Sequence, residues 1–215
     1  MKRPIELFAR LRGLYVITSA PHHERIARAA LHGGARIIQL RDPQMPLVEL
    51  CEVALQLRAL TRDFNALFII NDHLELAREV GADGLHLEWA KFSIEDARRE
   101  LGEEVLLSTG VNSVERALVA QNAGVDYLGV GPVYATQSKE DAGAPIGLLG
   151  LRAIEDAIAV PVAAIGGLNE SNIGDVRTPM ACVLSALSSA PGARRCEAKA
   201  RELVAALAKG RDEDQ

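Results

Sequence analysis

DYLGVGPVYATQSK, residues 126–139, opens as a buried strand and ends with more polar chemistry than a plain turn needs. Tyr127, Leu128 and Val130 form an apolar run bracketed by glycines, the pattern of a strand covered on both faces. The run passes into a polar segment carrying Thr136, Ser138 and Lys139. Two hydroxyls and an ammonium beyond a buried strand can donate several hydrogen bonds to phosphate oxygens, with positive charge alongside. The next helix-period segment waits until about residue 147, which is long for a βα connection and marks a candidate functional loop. Taken alone, the segment also reads as an ordinary surface loop, so the rest of the chain decides.

Working outward, apolar strand-like runs alternate with helix-period segments along the whole chain. Strands are expected at 13–18, 35–41, 66–71, 83–87, 104–109, 127–130, 160–166 and 180–186. Helices are expected between them at 24–32, 47–60, 74–80, 93–101, 113–123, 148–158 and 171–176, with a last one at 194–207. Eight strand–helix units in 215 residues predict an α/β chain folded as a (β/α)8 TIM barrel, one domain over residues 1–215. A doubly wound sheet would normally carry a glycine fingerprint after its first strand, and SAPHHE at 19–24 contains no glycine. Residues 1–12 read as a short amphipathic helix over one end, and 209–215 as a solvated, frayed tail. No low-complexity segment and no sequence-level repeat is visible.

A barrel of this kind builds its site at the carboxyl ends of its strands. The expected ends supply Gln39 and Arg41, then Asn71 and Asp72, then His86, Glu88 and Trp89. The later strands supply Ser108, Thr109 and Asn112, then Thr136, Ser138 and Lys139, then Gly166 and Gly167, and finally Ser185, Ser188 and Ser189. Two glycines after the seventh strand let the backbone approach an anion closely, as in the phosphate cradle frequent at that place in barrels. Plainer roles exist for each. Arg41 also reads as a salt-bridge partner, Gln39 as a hydrogen-bonded filler, Asn71–Asp72 as a helix N-cap and His86 as a core histidine.

Composition excludes several classes. Hydrophobic residues make up 48% and charged residues 25%, which is the balance of a globular protein. A net charge of −5 without a basic stripe argues against nucleic acid as a partner. No apolar run has the length of a membrane span, so no membrane partner is expected. Cys51, Cys182 and Cys196 are odd in number and lie outside any metal or redox spacing, so they read as reduced thiols of a cytoplasmic protein. The N-terminal stretch lacks a secretory apolar core, which agrees. Barrels of this size often pair through helices or rim loops, so a homodimer stands as one candidate assembly.

The strings LYVIT, IIQLRD, IINDHLELAREVGADGLHL, AGVDYLGVGPVYATQSK and VPVAAIGGLNESNI resemble the thiamine-phosphate synthase family, which includes the thiazole tautomerases. That resemblance implies a (β/α)8 fold and the joining of a pyrimidine diphosphate to a thiazole phosphate, in thiamine biosynthesis. Diphosphate would leave from a pyrimidine carbocation with help from Mg2+. Carried over, Gln39, Arg41, Asn71 and His86 would contact the pyrimidine diphosphate, Asp72 would bind the metal, and Lys139 would hold the diphosphate. Thr136, Ser138, Gly166, Gly167 and Ser185 would hold the thiazole phosphate. Arg41, His86 and Lys139 are the residues expected to serve the chemistry itself.

The chain departs from the family pattern in one half of that site. Pro43 stands where a lysine follows the QLRE motif, and Lys91 stands where a second metal-binding aspartate is expected. Gly110 and Asn112 replace a serine and a histidine, and RTPM (177–180) replaces a GADG. A protonated lysine cannot coordinate Mg2+. Three readings are open at this point: a working synthase with the Lys91 ammonium standing in for one metal charge, a paralogue isomerising a phosphorylated heterocycle with His86 or Glu88, and a binder without chemistry.

Overall fold

The protein is described by a computed structural model over residues 5–89, 93–138 and 143–212. Strands β1 (Gly13–Thr18), β2 (Ile37–Leu40), β3 (Leu67–Asn71), β4 (Gly84–Leu87), β5 (Leu106–Val111), β6 (Tyr127–Val130), β7 (Val162–Ile165) and β8 (Met180–Val183) pair in parallel and in chain order. β8 pairs back onto β1, with Gly13 opposite Met180 and Val16 opposite Val183, so the sheet closes into a (β/α)8 barrel. Helices α1 (Ile5–Phe8), α2 (His23–His32), α3 (Leu47–Asp63), α4 (Leu74–Glu79), α5 (Ile94–Leu101), α6 (Val114–Ala123), α7 (Gly147–Ala157), α8 (Ser185–Ser188) and α9 (Ala193–Asp212) accompany the strands. Cores of the expected elements coincide with these spans.

Two-residue periodicity sorts each strand between two cores. Tyr15, Ile17, Ile37, Leu67, Ile69, Leu106, Tyr127, Ala163 and Met180 fill the barrel interior. Their neighbours Leu14, Val16, Ile38, Leu40, Phe68, Ile70, Leu107 and Leu128 face the surrounding helices. Leu7, Phe8 and Leu11 from the N-terminal segment pack against the interior set, closing the amino end of the barrel. Continuing the inward positions toward the carboxyl ends brings Gln39, His86, Ser108, Gly110 and Gly129, so the interior turns polar and open just below the mouth.

Four expectations shift. β5 runs on to Val111, because Gly110 and Val111 continue the ladder opposite Gly129 and Val130. The helix expected at 171–176 is a single 3-10 turn, Ile173–Asp175. β8 ends at Val183, and Ser185 opens α8 instead of continuing the strand. The residues read as a frayed tail from 209 begin within α9, which continues to Asp212. Close packing explains the last: a Cβ on Gly210 would lie 1.9 Å from the carbonyl oxygen of Gly174, so the end of α9 sits directly on the 3-10 turn.

The structure also shows a small repeat that was not read from the sequence. Gly81-Ala82-Asp83 precedes β4, and Gly124-Val125-Asp126 precedes β6. Asp83 accepts hydrogen bonds from Phe68 N–H on β3 and from Arg58 on α3, both at 2.8 Å. Asp126 does the same with Leu107 N–H on β5 (2.7 Å) and Arg98 on α5. One carboxylate thus fastens a strand to its predecessor and to the helix outside it. Asp126 is only 2% exposed, so removing it leaves a largely buried guanidinium and a strand N–H without their acceptor. Asp126→Ala is expected to destabilise the fold by about 3 kcal/mol. The check is a urea denaturation midpoint, which should fall without a change in slope.

Candidate active site

A cavity of about 280 Å³ opens at the carboxyl end of the barrel. Of the residues expected at the site, Arg41, His86, Thr136, Ser138, Gly166, Gly167 and Ser185 all line it. Its apolar floor comes from Ile17, Ile165 and Cys182, and its β5 side from Gly110, Val111, Asn112 and Arg116. Among the described residues that line it none is an aspartate or glutamate, while two are arginines. The cavity therefore favours an anion. Gly167 adopts φ +66°, and a Cβ there would meet the Ala135 carbonyl oxygen at 2.6 Å. The β7 turn and the loop after β6 can share one wall only because residue 167 has no side chain.

Gln39 does not line this cavity; it sits on the inward side of β2, 2% exposed. Its Nε2 is buried and has no hydrogen-bond partner among the described residues, an expensive state for an amide. Asn71 and Asp72 lie off the cavity as well, and neither side chain caps α4, whose N-cap is His73. Asp72 instead turns to φ +60° and accepts from Glu88 N–H at 2.6 Å and Asn71 Nδ2–H at 2.8 Å, tying the end of β3 to that of β4. Among the described residues no group of three His, Cys, Asp or Glu gathers to hold a metal. Lys139 and Lys91 lie outside the described residues. Trp89 follows Glu88 on the β4 rim, 42% exposed and off the cavity.

Beneath the mouth, ladder register sets Asn71 opposite His86, His86 opposite Ser108 and Ser108 opposite Tyr127. The polar members are joined. His86 Nδ1 lies 2.9 Å from Ser108 Oγ, Ser108 is hydrogen-bonded to Tyr127, and Tyr127 meets Tyr15 hydroxyl to hydroxyl at 3.1 Å. This column fixes the His86 ring from below. A second network fixes Asp42, the residue after Arg41: His23 Nε2–H donates to Asp42 Oδ2 at 3.0 Å, and His23 Nδ1 bonds the Thr18 hydroxyl at 2.8 Å. Asp42 Oδ1 also accepts from the N–H groups of Gln44 and Met45, so the residue after Arg41 is held on all sides. Both networks were missed in the sequence, as was Arg116.

The sequence model of the thiamine monophosphate synthase family matches residues 14–189. The chain belongs to that family. It is 44% identical over 186 residues to a thiamine-phosphate synthase of Moorella thermoacetica, covering 86% of this chain and 89% of that one. A thiamine-phosphate synthase of Methanoregula boonei is 41% identical over 195 residues, covering 88% and 90%. Among solved structures, the thiamine phosphate pyrophosphorylase of Pyrococcus furiosus superposes with a TM-score of 0.85 at 38% identity, covering 95% and 98%. The 2-keto-3-deoxy-6-phosphogluconate aldolase of Zymomonas mobilis shares the fold alone, at 17% identity and a TM-score of 0.69 over 94% and 97% of the chains. The family is one of transferases, and membership agrees with the barrel and with a mouth suited to phosphorylated substrates. No helix among the described residues is long and apolar enough to cross a membrane.

Burial pushes the Tyr127 hydroxyl up to about 12, and burial raises Tyr15 well above its ordinary value. Below pH 10 both phenols are neutral in the folded and unfolded chains, and the column is intact. Between pH 10 and 12 the unfolded chain releases protons that the folded chain retains, so stability falls as pH rises through that window. Urea midpoints measured across pH 9–12 should show this loss, and Tyr127→Phe should make it shallower.

Proposed function

We propose that the protein is a thiamine-phosphate synthase, joining hydroxymethylpyrimidine diphosphate to thiazole phosphate with release of pyrophosphate. The observation that carries this reading is the cavity at the strand ends, where two guanidiniums, two hydroxyl-bearing loops and a glycine turn converge. The names of the relatives agree with it. The C–O bond to the diphosphate breaks with the electron pair leaving on oxygen, and a thiazole nitrogen lone pair then forms the new C–N bond.

Arg41 holds the diphosphate, fixed in place through Asp42 and His23. Gln39 offers its unpartnered Nε2–H to the pyrimidine edge, and His86 and Asn71 border the same face. Thr136, Ser138 and Ser185 donate to the thiazole phosphate, with the backbone at Gly166 and Gly167 close behind. Lys139 is assigned to the diphosphate by resemblance. Asp72 is the carboxylate that fits Mg2+, which commonly takes one or two carboxylates and completes its shell with substrate phosphate oxygens and water. Bound there, the ion would neutralise charge on the departing diphosphate. The apolar floor of Ile17, Ile165 and Cys182 keeps water from the reacting carbon.

A coupling assay with both purified substrates and Mg2+ tests the reaction; pyrophosphate release above background is expected, and its absence would remove the proposal. Gln39→Leu separates ligand binding from packing. An amide kept for folding would lower stability when lost, whereas a buried donor waiting for substrate should not. The variant is expected to keep or gain up to about 1 kcal/mol of stability while kcat/KM for the diphosphate falls on the order of tenfold. Thermal unfolding alongside steady-state kinetics decides.

A further inference from the structure

Arg116 stands where local rules disfavour it. It is the third residue of α6, whose N-cap Ser113 accepts a hydrogen bond from the Arg116 N–H at 3.2 Å. That third position of a Ser-capped helix suits glutamate or glutamine, which reach back to the cap, and the first turn repels cations. A residue held against such preferences points to a role elsewhere. Arg116 is exposed, lines the cavity, and forms no ion pair with any described residue. Among the described residues that line the cavity there is no carboxylate to neutralise it.

Its place relative to Arg41 gives the role. β5, which leads into α6, lies three strands round the ring from β2, so Arg41 and Arg116 line the cavity from well-separated walls. On the Arg116 side the neighbouring strand is β6, and the loop beyond it brings Thr136 and Ser138 to the same cavity. Between them Gly110 leaves space: a Cβ built there meets nothing within 4 Å. The reaction needs two anionic substrates held apart, and a planar guanidinium suits each.

We propose that Arg116 is a second anion anchor of this site, binding the phosphate monoester of the thiazole substrate from the β5–α6 corner while Arg41 binds the diphosphate opposite. The assignment of substrates rests on the synthase reading above. Arg116→Ala is expected to raise KM for thiazole phosphate on the order of 10- to 100-fold, the loss typical of a charge-assisted hydrogen bond, and to leave KM for the diphosphate within about twofold. Arg116→Lys should fall between, and the thermal midpoint of the alanine variant should not drop, because a cation leaves the first turn of a helix. An unchanged KM for thiazole phosphate, an equal rise for both substrates, or a rise confined to the diphosphate overturns the proposal. A calorimetric titration with inorganic phosphate separates the two claims. If the unaltered enzyme couples nothing yet phosphate binding weakens in Arg116→Ala, the synthase reading fails and the anchor stands. If phosphate binds both proteins alike, the anchor is overturned.

Discussion

Closure of β8 onto β1 is the constraint on which the rest depends. Four residue pairs, from Gly13–Met180 to Val16–Val183, turn an open parallel sheet into a ring. Once the ring is closed, all strands end on one face, and side chains far apart in sequence become neighbours there. Arg41 and Ser185 share a cavity for that reason alone. The same closure gives every strand two buried faces, which is why the strands read as nearly continuous apolar runs instead of alternating ones.

Charge is partitioned with the same economy. The chain carries a net charge of −5, yet the cavity is lined by arginine, histidine and neutral donors. Two carboxylates near the mouth also brace it. Asp42 is bound by His23 and two backbone N–H groups, and Asp72 by Glu88 N–H and the Asn71 amide. Each serves as a staple between loops, so the rim gains rigidity from acidic groups while the lined interior stays attractive to anions.

Much of this was legible in the sequence because strand ends are a rule about position. Arg41, His86, Gly166 and Gly167 stand at places that counting eight apolar runs picks out, and all four line the cavity. What escaped has physical reasons. The fifth strand was expected to stop at Thr109, and the pairing of Gly110 with Gly129 and Val111 with Val130 carries it further. The extension of α9 rests on the contact of Gly210 with Gly174, two residues 36 positions apart with no local signal of their partnership. His23 opens α2 and Asp42 follows β2, and neither segment reveals the other. Arg116 lies in the first turn of a helix, where a search of strand ends does not look; its mismatch with the Ser113 cap was the available clue.

Trp89 gives the molecule a built-in optical probe. It is the single tryptophan of the chain, partly open to solvent, and adjoins Glu88, whose backbone N–H is fastened to Asp72. Emission from an indole depends on how wet its surroundings are. A ligand that draws the β3 and β4 rims together would therefore change the fluorescence of the native enzyme, with no label attached.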